Sequence, residues 1–320
     1  MSKYTIIGLG WLGTPLAMHF LGAGHSVAGT TRNSEKAHEL THKGIQTVLF
    51  DVYETDFTTL PCEIFQDANV IINIPPGRKD FAPPLFIARM KSLFDYALTH
   101  KSKHICFIST TSVFGGLEGR ISNDSALTPN TPSGNAHVEL ELYLKDLAQA
   151  YAIETDSNEM RALLNKESQY FGLADISNFS CSVLRLAGLV GKDRHPITTL
   201  SQKSNVAQGR DPVNLIHQQD VIQIIEALLQ NSETKNRNKH SLETTGKLVE
   251  NNFYAANLCS SAHPTREDYY TWCAAQKGIR CPEFMLDTRD FVSGKWIDAQ
   301  QTTAQLKVQL YYPSPYNMLQ

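Results

Sequence analysis

The chain has 320 residues and a formal net charge of −3, with 42% hydrophobic and 19% charged residues. This length can bury one large core or two modest ones, and the composition is typical of a soluble globular protein. The small negative charge gives no electrostatic reason to expect nucleic acid or an anionic membrane as a partner. No apolar run is long enough to span a bilayer, and we expect no secretory leader, so a cytoplasmic location is predicted.

Short β-branched runs alternate with helical patterns over the first two-thirds of the chain. Strands are predicted at residues 4–7, 26–30, 47–50, 69–73, 104–108 and 182–185. Helices are predicted at residues 14–22 and at 138–151, where Leu140, Leu144 and Leu147 share one face. Strands separated by helices imply βαβ units, and therefore an α/β fold with a doubly wound, mostly parallel sheet.

Beyond these elements the pattern is less regular. Residues 154–178 are polar and predict a partly helical, exposed insertion, and residues 232–240 predict a loop. A late strand is predicted at 254–258. A helix is predicted at 265–278, because Thr265 can cap its start and the acidic Glu267 and Asp268 follow in its first turn.

A glycine-rich segment at residues 8–13, G-L-G-W-L-G, joins the first strand to the first helix and fits the pattern G-x-G-x-x-G. In a dinucleotide site Gly8 permits the tight turn, Gly10 lets the backbone approach a pyrophosphate, and Gly13 lets the helix pack closely on the strand. The alternative is a plain strand–helix turn that is rich in glycine. The position between strand and helix favours dinucleotide binding, and the predicted contacts include Trp11 and Leu12.

The end of the second strand bears on the choice between NAD and NADP. An NAD site needs an acidic side chain there to accept from the ribose hydroxyls, but Thr31 occupies that place. Arg32 follows, and a guanidinium beside the ribose would bind a 2′-phosphate in a bidentate manner. We therefore favour NADP(H), with a solvated arginine as the alternative. Asp51, after the third strand, would either cap a loop or accept from the adenine amino group.

Four segments together resemble the extended short-chain dehydrogenases/reductases, the group that includes nucleotide-sugar epimerases and dehydratases. They are residues 8–13, 108–115 (I-S-T-T-S-V-F-G), 184–191 (L-R-L-A-G-L-V-G) and 214–221 (N-L-I-H-Q-Q-D-V). The resemblance implies a Rossmann-type domain over residues 1–185. It also implies a smaller substrate-binding region, mainly within 186–320, part of which returns to the sheet.

The family's usual acid–base pair, a tyrosine with a lysine four residues later, is absent. Aligned to the family's pattern, Ser133 stands at the tyrosine and His137 at the lysine, and none of the twelve tyrosines has a lysine four residues on. His137 would act in acid–base chemistry or hold the nicotinamide ribose, or it is a surface histidine. Thr110 matches the family's substrate-hydroxyl contact, with a local backbone cap as the alternative. The chain resembles an atypical branch of the family.

The resemblance also places residues around the nicotinamide and the substrate. Residues 73–77, after the fourth strand, depart from the family's alanine-rich ending, and Pro75 and Pro76 would shape the loop that flanks the nicotinamide. Ile74 and Pro75 are predicted to contact the cofactor. The predicted substrate-side residues are Arg185, Lys192, Arg194 and Asn214. His217 and Asp220 are predicted to be structural. We expect no metal site, because the histidines are scattered along the chain.

Two hypotheses about function remain open. In the first, the protein is an NADP-dependent oxidoreductase or epimerase-like enzyme with a modified acid–base site, acting on a sugar nucleotide or another small polar carbonyl compound. In the second, it is a catalytically silent NADP(H)-binding protein that senses redox state or regulates a partner. The glycine loop fits both. The missing tyrosine favours the second, and Thr110 favours the first. A homodimer is a further hypothesis.

Overall fold

A seven-stranded parallel sheet forms the centre of the structure, a computed structural model that describes residues 1–77, 81–152, 179–239, 252–287 and 294–319. Its strands are β1 (Lys3–Ile7), β2 (Ser26–Thr31), β3 (Gln46–Leu49), β4 (Asn69–Ile72), β5 (His104–Thr110), β7 (Ser180–Leu186) and β10 (Phe253–Leu258). Their order is β10-β7-β5-β4-β1-β2-β3. The four remaining strands are β6 (Gly119–Ile121), β8 (Gly188–Val190), β9 (Leu215–His217) and β11 (Lys295–Ile297). They form two parallel pairs, β6 with β11 and β8 with β9.

Helices lie between successive strands of the sheet in the sequence, and two further helices follow its last strand. They are α1 (Gly13–Gly22), α2 (Ser34–His42), α3 (Pro83–Thr99), α4 (Pro132–Ala152), α5 (Ile197–Leu200), α6 (Gln218–Lys239), α7 (Arg266–Lys277) and α8 (Gln300–Leu306). Within the described residues, none of these helices combines the length and the apolar character needed to cross a membrane.

The order of the strands confirms the predicted doubly wound Rossmann-type α/β fold. The registers of β1 with β2, β2 with β3, β1 with β4 and β4 with β5 are all parallel. All six strands predicted in the first two-thirds are present, and the late strand joins the sheet at its edge as β10. Strand order reverses between β1 and β4, and in such sheets ligands bind outside the carboxyl ends of the strands near this reversal.

Local sequence explains where the predicted helices begin and end. The Thr265 hydroxyl accepts from the Asp268 backbone N–H (3.2 Å) at the start of α7, and Gly278 ends it in the left-handed conformation at φ 60°. One prediction was wrong: residues 232–239 are not a loop, because α6 continues to Lys239. The predicted insertion at 154–178 lies outside the described residues.

The chain divides into two compact units, each made of three stretches. The first unit comprises Met1–Ser109, Thr131–Leu184 and Thr234–Ala255, and the second comprises Thr110–Asn130, Arg185–Glu233 and Ala256–Gln320. The first unit contains β1 to β4. The side chains of β1 and β4 are almost all buried. Strands buried on both faces are expected for a parallel sheet that is covered by helices.

Candidate functional site

The glycine loop leads from β1 into α1 with the geometry that the sequence predicts. Gly8 has φ of +105°, and a Cβ there would lie 2.5 Å from the Asn73 carbonyl oxygen. A Cβ on Gly13 would lie 2.1 Å from the Gly8 carbonyl oxygen. Neither position accepts a side chain without moving the backbone. Gly10 differs, because a Cβ there meets no described atom within 4 Å. The space beside Gly10 is therefore open to a ligand.

The start of α1 supplies donors to that space. Leu12, at the N-cap, makes no side-chain hydrogen bond to the first turn, and that turn contains no acidic residue. The first N–H groups of a helix lie at the positive end of its dipole and can bind an anion. In α1 the Thr14 N–H donates to the Gly10 carbonyl (3.0 Å) and Pro15 has no N–H, so the Gly13 N–H is the donor that the first turn offers. The loop is held by Thr30, whose hydroxyl accepts from the Gly8 N–H (3.1 Å) and whose carbonyl accepts from Leu9 (2.7 Å). Trp11 is half-buried beside Leu12, which is buried.

The residues predicted for the ribose meet at the ends of β2 and β3. The Arg32 Nη1 atom lies 3.4 Å from Oδ2 of Asp51, with 76% of the arginine side chain exposed. The other carboxylate oxygen of Asp51 accepts from the Tyr53 backbone N–H (2.9 Å). The Thr31 hydroxyl accepts from the Asn33 N–H (3.3 Å), and Asn33 caps α2. The structure brings Arg32 and Asp51 together, which the sequence did not predict.

The end of β4 lies against the glycine loop. The Asn73 side-chain amide donates to the Gly8 carbonyl (3.4 Å), and Asn73 N–H donates to the carbonyl of Ile7 (2.9 Å). Ile74 is half-buried, packs on the core of the first unit, and would lie 3.6 Å from a Cβ at Gly8. Pro75 follows and is exposed. These contacts place Ile74 and Pro75 at the carboxyl edge of the sheet, where the prediction puts the nicotinamide.

Ser133 and His137 lie one turn apart in the first turns of α4. His137 is buried between the rings of Phe86 and Phe107, with centroids 6.1 and 5.8 Å away. Its Nδ1 lies 2.8 Å from the Ser133 carbonyl oxygen, so Nδ1 carries the proton of a neutral ring. Burial lowers the pKa of His137 from its ordinary value. The surface alternative is excluded by this burial, and the acid–base role stays a prediction.

A buried carboxyl group lies one turn further along α4. The Ser109 hydroxyl, near the end of β5, donates to Oε1 of Glu141 (2.5 Å), and both residues are buried. The bond joins the carboxyl end of β5 to α4. It satisfies one oxygen of a carboxyl group that would otherwise be costly to bury.

Arg185 and the basic pair beyond it lie in different surroundings. Arg185 is buried, donates to the Asn123 carbonyl (2.9 Å) and stacks over the Phe114 ring at 5.1 Å. This environment favours a supporting role for Arg185 over the predicted substrate contact. Lys192 and Arg194 are exposed on a tight turn that is closed by Gly191 and Arg194. Their predicted contact with substrate is untested.

Asn214 holds a strand of the second unit in place. Its side-chain amide donates to the Lys295 carbonyl (2.8 Å), and its oxygen accepts from the Ile297 N–H (2.9 Å). Asn214 therefore clamps β11 on both sides of Trp296. Asn214, predicted as a substrate-side residue, therefore binds backbone atoms of Lys295 and Ile297, and its predicted contact with substrate is untested.

Lys295 is a residue that the sequence analysis missed. Its Nζ donates to the backbone carbonyl of Thr111 (2.8 Å), one residue after Thr110. The Thr110 hydroxyl accepts from the Ser112 N–H (3.1 Å) and so caps the short helical turn after β5. An isolated lysine carries no motif, and 184 residues separate it from Thr111. Only the fold reveals this contact.

His217 and Asp220, which are predicted to be structural, contact the C-terminal segment within the second unit. The His217 ring stacks on Tyr312 with centroids 3.7 Å apart. The Asp220 carboxyl accepts from the N–H groups of Tyr311 (2.7 Å) and Tyr312 (3.2 Å). Burial raises the pKa of Asp220 to about 6 despite these bonds. Both residues thus secure the C-terminal segment to the second unit.

One histidine pair has H-x-x-x-H spacing in the sequence and is an exception to the expected scatter of the histidines. His38 and His42 lie four residues apart on α2, both exposed, with their Nε2 atoms 2.9 Å apart. Glu39 between them pairs with Lys43 (2.5 Å). Among the described residues, no group of three histidine, cysteine, aspartate or glutamate side chains is placed to hold a metal. Two nitrogens alone do not complete a zinc site.

A surface cavity of about 400 Å³ lies within the second unit. It is lined by Gly119, Arg120, Pro212, Ser261, His263, Gly294 and Trp296. Arg120 is neutralised there, because its Nε and Nη2 atoms bind Oδ2 of Asp298 at 2.9 and 2.7 Å. The Trp296 ring lies below the Arg120 guanidinium at 5.4 Å. Trp296 faces away from Lys295, since successive residues of a strand point to opposite sides.

Comparison with known proteins agrees with the fold. The model of the NAD dependent epimerase/dehydratase family matches residues 5–241. The protein YeeZ of Escherichia coli K12 is 29% identical over 321 residues, which cover 99% of each chain.

Solved structures share the fold at low sequence identity. MoeE5 in complex with UDP-glucose and NAD is 15% identical, with a TM-score of 0.69 over 99% of this chain and 96% of that chain. A UDP-glucuronic acid 4-epimerase from Bacillus cereus in complex with NAD is 16% identical, with a TM-score of 0.63 over 98% of this chain and 91% of that chain. The resemblance predicted from the four segments is confirmed. Because the family model matches most of its length, the chain belongs to the NAD dependent epimerase/dehydratase family.

Proposed function

We propose that this protein is an NADP(H)-dependent oxidoreductase of the epimerase type, acting on a sugar nucleotide or another small polar carbonyl compound. The open space at Gly10, beside the uncapped start of α1, carries the proposal. Backbone donors at that point would hold a pyrophosphate, and the residues present fit a dinucleotide. When bound, the nicotinamide supplies or accepts a hydride.

The preference for NADP(H) depends on Arg32. Its contact with Asp51 is long (3.4 Å) and exposed, and such pairs contribute at most about 1 kcal/mol. A 2′-phosphate carries more charge than one carboxylate and accepts both guanidinium donors, so it would displace Asp51. Thr31 adds no acidic group that would repel the phosphate. The other carboxylate oxygen of Asp51 accepts from the Tyr53 backbone N–H, which fits the loop cap, one of its two predicted roles. Acceptance from the adenine amino group stays the alternative.

Fluorescence titration with NADPH and NADH tests this assignment. Arg32→Ala should weaken NADPH binding at least about tenfold, because a charge-assisted hydrogen bond contributes roughly 1.5–3 kcal/mol. NADH binding should be unchanged. Lys43→Ala serves as the control, because Lys43 is also an exposed cation at α2 and bonds Glu39 within the helix. An unchanged NADPH/NADH ratio in Arg32→Ala would remove Arg32 from the site.

The reacting end of the substrate is assigned to Thr110, Ser133 and His137. Thr110 would bind the oxygen of a carbonyl or hydroxyl group at the end of β5. The neutral His137 ring fixes the Ser133 carbonyl and has an accepting Nε2 among apolar rings. UDP-sugars head the substrate panel, because MoeE5 is solved with UDP-glucose and NAD and the B. cereus protein is a UDP-glucuronic acid 4-epimerase. Turnover is measured as NADPH consumption and as conversion of one sugar epimer into the other.

A second proposed function is that of a catalytically silent NADP(H)-binding regulator. The missing tyrosine and the burial of His137 favour it. A phenol activated by lysine is a far stronger proton donor than the hydroxyl of Ser133. The regulator hypothesis predicts tight NADPH binding with no turnover of any UDP-sugar, aldehyde or ketone. The homodimer stays a prediction, which light scattering of the purified protein would test.

A further inference from the structure

His38 and His42 lie one helical turn apart near the C-terminal end of α2, within the first unit. Both are exposed, and their ring centroids lie 4.3 Å apart with the ring planes nearly perpendicular, at 87°. Their Nε2 atoms point toward each other and are separated by 2.9 Å. Residues four positions apart share one face of a helix. Two imidazole nitrogens therefore converge on one point of the protein surface.

The distance between the two Nε2 atoms fits two neighbouring ligands of one metal ion. Imidazole nitrogens bind first-row transition metals at about 2.0–2.1 Å. Two such ligands would lie about 2.8–3.0 Å apart at a right angle, and about 3.3–3.4 Å apart at a tetrahedral angle. The observed 2.9 Å matches the right angle. This angle is typical of Cu²⁺ and Ni²⁺, whereas structural zinc sites are tetrahedral.

A metal ion would take the place of a hydrogen bond between the two rings. Without metal, one Nε2 donates its proton and the other accepts it, so the rings are in opposite tautomers. With metal, both Nε2 atoms offer lone pairs and both protons lie on Nδ1. Water can accept from both Nδ1–H groups, because both rings are exposed. Among the contacts of the described residues, the exchange breaks one exposed hydrogen bond.

The turn that carries His42 is held in place by the way α2 ends. Gly44 has φ of +95°, and its N–H donates to the Thr41 carbonyl (3.0 Å). The Ile45 N–H donates to the Leu40 carbonyl (3.1 Å). These two bonds close the helix in the Schellman pattern, and both Leu40 and Ile45 are buried. A fixed backbone reduces the conformational entropy that is lost when two side chains bind one ion.

The charges near the pair permit a bound dication. The C-terminal end of a helix carries a partial negative charge, which favours a cation. The Glu39 carboxylate, between the two histidines in the sequence, pairs with Lys43 (2.5 Å), and these two charges cancel. In the part of the chain that the structure describes, no third histidine, cysteine or carboxylate is placed to complete a metal site. Water or an anionic ligand from solution would fill the remaining positions around the ion.

We propose that His38 and His42 form a two-nitrogen site for a divalent transition metal that takes its ligands at right angles, with Cu²⁺ as the preferred ion. Imidazole suits Cu²⁺, Ni²⁺ and Zn²⁺, and at a given site the affinity for Cu²⁺ exceeds that for the other two. The ion links two successive turns of α2, so its binding stabilises the folded chain. This site goes beyond the proposed function, because it needs neither the glycine loop nor Arg32.

Titration of the purified full chain with Cu²⁺, followed by electron paramagnetic resonance, tests the proposal. The chain carries no histidine tag, and the exposed thiols of Cys62 and Cys281 are blocked with N-ethylmaleimide so that they do not bind copper. The first equivalent should give a tetragonal spectrum with coupling to two nitrogen nuclei. His38→Ala and His42→Ala should each weaken its binding by about 10²-fold or more, because a second linked ligand contributes about 10²–10⁴-fold.

Two control variants distinguish the pair from the other histidines. His19→Ala removes an exposed histidine of the same unit and should leave Cu²⁺ binding unchanged. His42→Ala combined with Lys43→His keeps the number of histidines but moves one off the shared face, so it should bind as weakly as His42→Ala. Thermal unfolding without metal should be alike in all variants, since the replaced side chains are exposed and alanine favours a helix. Cu²⁺ should raise the melting temperature of the parent more than that of His38→Ala or His42→Ala.

Several results would overturn the proposal. Cu²⁺ binding that is as tight in His38→Ala as in the parent would exclude the pair as the site. A parent spectrum with coupling to one nitrogen would exclude binding by two imidazoles. Recovery of tight binding by the variant that combines His42→Ala with Lys43→His would show that any two nearby surface histidines suffice. Zn²⁺ bound more tightly than Cu²⁺ would contradict ligands at right angles.

Discussion

Replacing Gly10 by alanine should separate cofactor binding from folding. A Cβ at this position meets no described atom within 4 Å, and Gly10 is not among the glycines with a left-handed φ. The folded chain therefore has room for the methyl group. We expect the free energy of unfolding to rise or stay within about 1 kcal/mol, because alanine also restricts the unfolded chain.

The same methyl group occupies the space that the proposal assigns to a pyrophosphate. A phosphate displaced from the loop loses at least one charge-assisted bond to a backbone N–H, each contributing about 1.5–3 kcal/mol. This loss corresponds to a roughly 10- to 100-fold weaker affinity for NADPH. The structure therefore predicts a variant that is as stable as its parent and binds the cofactor poorly.

Thermal unfolding and NADPH fluorescence titration measure the two effects on the same samples. Gly22→Ala is the matched control, since a Cβ there also meets no described atom within 4 Å, and it should leave binding intact. Gly13→Ala should instead destabilise the fold by several kcal/mol, because its Cβ would lie 2.1 Å from the Gly8 carbonyl oxygen. If Gly10→Ala binds NADPH as tightly as the parent, no phosphate lies beside Gly10.

Three further predictions concern stability. Burial lowers the pKa of His104 to about 4, so the contribution of its neutral ring to the free energy of unfolding, at most about 3 kcal/mol, is complete above pH 6.5 and is lost as pH falls through 4. In urea unfolding, His104→Asn should lose less stability than the parent between these pH values. Burial raises the pKa of Asp220 to about 6, so the contribution of its protonated carboxyl group to the free energy of unfolding is complete below about pH 4 and is lost as pH rises through 6. Asp220→Asn should make the free energy of unfolding depend less on pH over that range, and a stronger dependence would contradict the assignment. The buried Thr302 hydroxyl donates to the Asn257 carbonyl (3.0 Å) and accepts from the Asn123 amide (3.2 Å). Thr302→Val should therefore lower the free energy of unfolding, measured by chemical denaturation, by about 1–3 kcal/mol. An unchanged free energy of unfolding would show that the Asn123 amide finds another partner.

The sheet was predictable because its strands are long and β-branched and its helices are periodic. The strands of three residues, β6, β8, β9 and β11, were missed, since three residues are too short to show an alternating pattern. The extension of α6 to Lys239 was missed because its last turns are polar and lack an apolar face. Tertiary structure overrides local preference at such places.

In the candidate site, too, local features could be predicted from the sequence and contacts between distant residues could not. The glycine loop is local, so strand, turn and helix could be predicted from six consecutive residues. Contacts between distant segments could not, and these include the pair of Arg32 with Asp51 and the bond from Lys295 to Thr111. Arg185 differs, because its place in a motif predicted a substrate contact, which stays a prediction, while its burial could not be predicted from the sequence.

The pairing of β6 with β11 also constrains how the protein is made. Arg120 and Asp298, which meet across this small sheet, are 178 residues apart in the chain. A ribosome releases β6 long before β11 emerges, so the second unit cannot close until synthesis is nearly complete. Truncation before Lys295 would leave β6 without its neighbour and Asn214 without its strand. Nascent chains and C-terminal deletions should therefore show a protease-resistant first unit before the second becomes resistant.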